Sequence, residues 1–125
     1  MQQRNASDRL TVLIVEDEVL LRMDATEFLE SAGLVVVEAR NADEAILILE
    51  QRDDIHLIFT DINMPGSMDG MKLAHFVKDR WPPIRIIATS GHAKIDENDL
   101  PEGSRFIPKP YTGAQVAQVI HQLIL

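Results

Sequence analysis

The sequence predicts an α/β fold, a doubly wound parallel sheet of five strands with helices on both faces. Short apolar segments rich in β-branched residues recur along the chain, and such segments are typical of strands buried on both faces. Segments with apolar residues at helical spacing alternate with them. This alternation indicates parallel strands that are joined by right-handed crossover helices.

Apolar segments predict the strands, and local signals mark the helix ends between them. The predicted strands are TVLIV (11–15), LVVVEA (34–39), IHLIFT (55–60), IRIIAT (84–89) and RFI (105–107). Gly33 is suited to ending the first helix. Asn41 and Glu44 form a capping-box pattern that begins the second helix. Pro82 and Pro83 end the third helix, because proline cannot continue one.

The segment between the fourth and fifth strands is the exception to this regularity. KIDENDLPEG (94–103) is polar and lacks an apolar face, so the fourth helix is predicted to be short or irregular. Thr112 and Gln115 then begin a last helix. No linker or internal repeat divides the chain, and we expect a flexible tail at residues 1–9 and one domain at residues 10–125.

Composition excludes several classes of protein. The 125-residue chain has no cysteine, which excludes a disulfide framework and a thiolate site. Its net charge of −8 disfavours nucleic-acid binding, which needs clustered Lys and Arg. It has neither the roughly 18 apolar residues that a membrane span needs nor a signal-peptide core. We therefore expect a cytoplasmic protein that binds neither nucleic acid nor membrane.

Polar residues follow several predicted strands, at the point where each strand ends. They are Glu16 and Asp17 after the first strand, Asp61 after the third, Thr89 and Ser90 after the fourth, and Lys109 after the fifth. Because the carboxyl ends of parallel strands meet at one rim, these side chains should converge. Each has an ordinary alternative role. Glu16 and Asp17 could open a helix and Asp61 could be a turn residue. Ser90 could cap a helix, and Lys109 could be a solvated loop residue.

The predicted cluster has a recognisable chemistry. Close carboxylates repel one another, and some would have to protonate unless a divalent cation were bound. Oxygen ligands in a partly open site favour Mg²⁺. The Lys109 ammonium and the Ser90 hydroxyl suit a phosphoryl group, whose charge is spread over several oxygens. One of the carboxylates could serve as a nucleophile by forming an acyl phosphate.

The motifs at the strand ends resemble those of bacterial response-regulator receiver domains of two-component signalling. The motifs are VLIVEDE (12–18), FTDINMPGSMDG (59–70), ATSGH (88–92) and FIPKPY (106–111). The match covers residues 10–125, as in single-domain, chemotaxis-regulator-like receivers. It implies the flavodoxin-like strand order 2-1-3-4-5. The loop after Asp61 has one residue more than the family's usual MPGMDG, so we expect a longer loop there.

The resemblance also implies a set of site residues. Asp61 is implied as the phosphorylation site, assisted by Lys109 and Ser90, and the implied Mg²⁺ ligands are Glu16, Asp17, Asp61 and the backbone carbonyl of Asn63. Ser90 and Phe106 are implied as the switch pair, and Asn63 and His92 as residues that tune hydrolysis of the phosphoryl group. The peptide bond between Lys109 and Pro110 is expected to be cis. In this family a sensor histidine kinase or a histidine phosphotransfer protein donates the phosphoryl group. Phosphorylation then changes the face that binds a downstream protein.

Two other functions compete with this interpretation. The first is a small-molecule phosphatase that forms an aspartyl phosphate; Asp61 is followed by Ile62 and Asn63, without the second aspartate that such enzymes commonly carry. The second is a flavodoxin-like binding module, but the acidic residues after the first strand would repel a flavin phosphate. The resemblance instead implies a signalling domain that assists its own phosphorylation and dephosphorylation, and we expect no separate enzyme activity.

Overall fold

The structure is a computed structural model that describes residues 9–64, 68–91 and 95–124. Two of the expectations about the fold fall outside those ranges and stay predictions. The first is the flexible tail, of which only Arg9 is described. The second is the longer loop after Asp61, whose residues 65–67 are not among the described ones.

Strands and helices alternate along the described chain. The strands are β1 (Thr11–Val15), β2 (Val35–Ala39), β3 (Leu57–Asp61), β4 (Arg85–Ser90) and β5 (Arg105–Pro108). The helices are α1 (Val19–Ser31), α2 (Ala42–Gln51), α3 (Gly70–Arg80) and α4 (Gly113–Ile124). No helix in the described ranges is long and apolar enough to cross a membrane.

The strands form one parallel sheet in the order β2-β1-β3-β4-β5, which confirms the predicted fold and strand order. The register aligns Val15 with Thr60 and Asp61 with Thr89. Ser90 is aligned with Pro108 on β5. The residues that follow β1, β3, β4 and β5 therefore emerge together at one rim of the sheet.

Two hydrophobic layers cover the sheet, one on each face. Neighbouring strand residues face opposite sides, so Leu13 packs into one layer and Ile14 into the other. The first layer joins the sheet to α2 and α3 through Leu49, Leu73 and Val77, and the second joins it to α1 and α4 through Leu29, Val116 and Ile120. These helices thus cover both faces, as the alternating sequence pattern predicted.

Hydrogen bonds at the helix ends follow the predicted signals, with one difference. The Thr112 hydroxyl accepts from the Gln115 N–H, and the Gln115 side chain accepts from the Thr112 N–H, which completes a capping box. The Asn41 side chain accepts from the Glu44 N–H as predicted, but the Glu44 carboxylate accepts from the N–H of Arg40. The Arg40 guanidinium also binds this carboxylate, and its positive charge favours the hydrogen bond to Arg40 over one to Asn41.

The segment between β4 and β5 agrees with the prediction of a short or irregular helix. Among the residues described there, the helical part is a single 3₁₀ turn, Glu97–Asp99. Leu100 at its end is buried in the first hydrophobic layer, and hydrogen bonds also hold the segment in place. The Glu97 carboxylate accepts from the Phe106 N–H at 3.0 Å, and the His75 ring lies 2.7 Å from the Asp99 carbonyl oxygen.

Gly70 begins α3 in close contact with the end of β3. Its N–H donates to the Ile62 carbonyl at 2.9 Å. A Cβ at this position would collide with the Asp61 carbonyl and would lie 2.7 Å from Ile62 Cα. The φ angle of Gly70 is not positive, so backbone conformation does not demand glycine here. Glycine is required because a side chain would collide with the end of β3.

We expect Gly70→Ala to lower the free energy of unfolding by about 2–3 kcal/mol, because backbone atoms must move to admit the methyl group. Gly91→Ala is the matched control, since a Cβ at Gly91 meets nothing within 4 Å. Urea unfolding followed by circular dichroism measures both values. Equal losses in the two variants would contradict this explanation.

Candidate functional site

Charged side chains from distant parts of the sequence meet at the carboxyl rim of the sheet. Glu16, Asp17 and Asp61 each place a carboxylate oxygen within 4.8 Å of the others. The Lys109 ammonium lies 3.0 Å from Asp61 Oδ2 and 3.1 Å from Glu16 Oε1. The convergence predicted from the strand ends is therefore present in the fold.

Asp61 is held firmly at the end of β3. Its side chain is buried, with Oδ1 accepting from the Asn63 N–H at 3.0 Å and Oδ2 accepting from Lys109 at 3.0 Å. Its carbonyl accepts from the Thr60 hydroxyl. The next residue, Ile62, continues the ladder by donating to the Thr89 carbonyl. These contacts leave the carboxylate little freedom to reorient.

Glu16 is bonded through its side chain and its backbone. Oε2 accepts from the Glu18 N–H at 3.2 Å, and Oε1 accepts from Lys109. The Glu16 N–H donates to the Ala39 carbonyl on β2 at 3.1 Å. Its carbonyl accepts from Arg22 Nη1 at 2.8 Å, a contact that the sequence analysis missed. Glu16 is thus fixed at several points.

The electrostatics of the cluster follow from burial. Desolvation raises the pKa of Glu16 to about 7, and the nearby Asp61 charge acts in the same direction. The Glu18 N–H and Lys109 oppose the rise. Burial works against the charge of Lys109, but hydrogen bonds to Asp61 and Glu16 outweigh it and raise the Lys109 pKa. The ammonium therefore stays charged, whereas Glu16 readily takes up a proton.

The chemistry of these donors fits a hard divalent cation. All the ligand atoms of the cluster are carboxylate oxygens, and Asp17 is exposed at its outer side. Oxygen donors with an open side suit Mg²⁺, which usually keeps several waters. Glu16, Asp17 and Asp61 are the residues that could hold it, with Asn63 close to Asp61.

Ser90 and Asn63 flank the acid cluster. Ser90 is the last residue of β4 and is buried. Asn63 Nδ2 lies 3.5 Å from the Ser90 hydroxyl. Thr89 belongs to the opposite side of the strand by alternation, and its buried hydroxyl has no hydrogen-bond partner in the described structure. Of the two hydroxyls considered from the sequence, that of Ser90 is therefore the one that contacts Asn63, whose N–H is bonded to Asp61.

Of the remaining predicted features, the structure describes Phe106 and the peptide bond before Pro110 but not His92. Phe106 on β5 aligns with Ala88 and packs against the layer formed by α2 and α3. The peptide bond between Lys109 and Pro110 is cis, as the resemblance implied. His92 lies outside the described residues, so its tuning role stays a prediction.

An aromatic group near the site was missed by the sequence analysis. Tyr111 packs edge-on against Phe28 and Phe59, with ring centroids 6.0 and 5.5 Å away. With Lys109 and Phe28 it lines a cavity of about 510 Å³ between α1 and the start of α4. The sequence places Tyr111 directly after Lys109 and Pro110, which could have indicated that it lies near the site. Its aromatic partners Phe28 and Phe59 are distant in sequence, so the packing could not be predicted.

Comparisons with known proteins agree with this geometry. The model of the response regulator receiver domain family matches residues 12–121. The sensor kinase CckA of Brucella abortus is 34% identical over 122 residues, covering 94% of this chain and 13% of the kinase. The nitrogen assimilation regulatory protein NtrX of Azorhizobium caulinodans is 30% identical over 117 residues, covering 90% of this chain and 26% of the regulator.

Solved structures show the same relationship. The response regulator receiver protein of Sinorhizobium medicae has a TM-score of 0.87 and 28% identity, with 95% of this chain and 97% of that one covered. The receiver domain of the hybrid histidine kinase CckA has a TM-score of 0.78 and 29% identity, with 92% and 99% covered. This chain spans only 13% to 26% of the length of the CckA kinase and of the NtrX and NtrC regulators that it matches. The family match, the strand order and the acid cluster with its lysine lead to one conclusion: the chain belongs to the response regulator receiver domains of two-component systems.

Proposed function

We propose that this receiver domain accepts a phosphoryl group on Asp61 in a Mg²⁺-dependent reaction. The observation that carries the proposal is the buried Asp61 carboxylate, which lies 3.0 Å from Lys109 in a cluster with two further acids. The donor is a phosphohistidine on a sensor histidine kinase or a histidine phosphotransfer protein. The phosphorylated domain then binds a downstream protein through a changed face. Cytoplasmic location is part of the same proposal.

The transfer step follows from the placement of these groups. A carboxylate oxygen of Asp61 attacks phosphorus, and a P–O bond forms as the P–N bond to the donor imidazole breaks. The electron pair of that bond stays on the imidazole nitrogen. Lys109, now shared between Asp61 and Glu16, offers its ammonium to the phosphoryl oxygens. Mg²⁺ held by Glu16, Asp17, Asp61 and the Asn63 carbonyl would supply further positive charge when bound.

The switch is proposed to involve Ser90 and Phe106. The Ser90 hydroxyl lies 3.5 Å from Asn63 Nδ2, and it is proposed to donate to a phosphoryl oxygen on Asp61. Phe106 lies on the neighbouring strand and is half-buried, and its ring is proposed to turn when Ser90 moves. Asn63, together with His92, is proposed to tune the later hydrolysis of the acyl phosphate.

An apolar patch on α1 supports docking of the phosphoryl donor beside the acids. Val19, Leu20 and Met23 are 57%, 75% and 57% exposed, in the first turns of the helix that follows the acid pair. Contiguous exposed apolar side chains indicate protein–protein contact. We propose that the donor protein covers this patch while its phosphohistidine reaches Asp61.

Phosphorylation of Asp61 is tested with acetyl phosphate and Mg²⁺, followed by intact-protein mass spectrometry. We expect a gain of one phosphoryl mass in the native protein and none in Asp61→Asn, which lacks the nucleophilic carboxylate. Omitting Mg²⁺ should reduce the labelling strongly. Equal labelling of Asp61→Asn would show that another residue is modified and would refute the assignment.

Mg²⁺ binding should weaken as the pH falls through the raised Glu16 pKa of about 7. Below that pH a proton occupies the carboxylate and must leave before the ion can bind, so affinity should fall from about pH 8 to about pH 6. Glu16→Gln should bind Mg²⁺ more weakly and with a flatter pH dependence. Glu18→Gln, an exposed neighbour, should keep the native dependence. Calorimetric titration measures all three, and a pH-independent native affinity would contradict the prediction.

Donor docking on α1 predicts a selective kinetic defect. Leu20→Glu should slow phosphoryl transfer from a phosphohistidine protein by about tenfold, because a contact residue of the apolar patch is lost. The rate with acetyl phosphate should not change, since that small donor needs no docking surface. Leu47→Glu on α2 is the matched control, with a side chain 57% exposed in the native protein. Slowing with both donors would place the effect at the site itself.

A further inference from the structure

Arg22 on α1 links the acid pair to the outermost strand β2. Its side chain is only 12% exposed. Nη1 donates to the Glu16 carbonyl at 2.8 Å, and Nε donates to Glu38 Oε1 on β2 at 3.1 Å. A guanidinium has donors in a fixed planar arrangement, so the bond to Glu38 sets the direction from which Arg22 reaches the carbonyl.

The carbonyl that Arg22 binds belongs to the peptide bond between Glu16 and Asp17. Glu16 has other anchors, because its N–H is bonded to Ala39 and its carboxylate to Glu18 and Lys109. Asp17, in contrast, has an exposed side chain, and its position is set mainly by the backbone that leads into it. Fixing the preceding peptide plane therefore fixes where the Asp17 carboxylate can reach.

We propose that Arg22 is a positioning residue for the metal ligands, which it orders through the peptide between Glu16 and Asp17, with Glu38 orienting its guanidinium. This rests on the proposed Mg²⁺ role of the acid cluster. Groups behind the direct ligands of a metal commonly orient them, and their loss weakens binding about 10–100-fold. Arg22 would act in this way although it offers no ligand atom of its own.

The sign of the effect separates positioning from simple electrostatics. A cation near the acid cluster repels Mg²⁺ through space, so removing its charge should strengthen binding if charge alone mattered. If Arg22 orders the peptide, removing it should weaken binding. The two accounts thus predict opposite changes for the same substitution.

The test is calorimetric titration of Mg²⁺ into the full chain and four variants. Arg22→Met keeps an apolar stem and removes both hydrogen bonds; Arg22→Lys keeps the charge but not the planar donor pair. Glu38→Gln removes the charged partner. Arg40→Met is the control, because Arg40 pairs with Glu44 near the same rim and is 70% exposed. We expect about tenfold weaker binding in both Arg22 variants and a smaller loss in Glu38→Gln. Arg40→Met should bind as tightly as the native protein or slightly more tightly.

Phosphorylation by acetyl phosphate supplies a second measurement. At saturating Mg²⁺ the Arg22 variants should be phosphorylated at a rate close to the native one. They should differ from the native protein in needing a higher Mg²⁺ concentration to reach half of that rate. Native or tighter Mg²⁺ binding by Arg22→Met would overturn the proposal, as would full rescue by Arg22→Lys. If Arg22→Met does not fold, Arg22→Lys and Glu38→Gln decide the question. Failure of the native protein to bind Mg²⁺ would overturn this inference together with the proposed function, whereas the other results overturn the inference alone.

Discussion

The ammonium of Lys109, shared between the carboxylates of Asp61 and Glu16, is the interaction on which the site depends. Two buried acids so close together would be strongly unfavourable as a pair of unpaired charges. One cation at 3.0 and 3.1 Å compensates part of this cost. Burial also raises the pKa of Glu16 to about 7, which makes it easier for this carboxylate to lose its charge by binding a proton. The cluster is therefore held in a state of incomplete charge balance. A bound divalent cation could complete that balance, because the excess charge of the cluster is negative.

The sheet makes this arrangement possible. Lys109 follows β5, Asp61 ends β3 and Glu16 follows β1, and neighbouring parallel strands deliver their ends to the same rim. The backbone of Asp61 is clamped from two sides, by the ladder to β4 and by the close approach of Gly70. A methyl group added at Gly70 would therefore also disturb Asp61, the proposed nucleophile. A substitution at Gly70 should therefore change both the stability of the protein and the position of the Asp61 carboxylate.

Much of this could be predicted from the sequence. Alternating strand and helix patterns specified the parallel sheet, and the polar residues at the strand ends specified which side chains meet. Arg22 escaped notice because nothing in the local pattern distinguishes it from a solvated helix residue. Its role depends on β2 lying beside β1, so that Glu38 comes within reach. The capping box predicted that the Glu44 carboxylate accepts a hydrogen bond from the Asn41 N–H. It accepts from the Arg40 N–H instead, and this too depends on a neighbouring charge, the Arg40 guanidinium.

The hydrogen bond between Glu97 and Phe106 has a consequence for how molecules of this protein meet one another. A strand at the border of a sheet offers free N–H and carbonyl groups that can pair with a strand of another molecule. On β5 the outward Phe106 N–H is already occupied by the Glu97 carboxylate, and Pro108 has no N–H to offer. The carboxylate also places a negative charge along that border. Glu97 thus leaves β5 with fewer free N–H groups for pairing with a strand of another molecule.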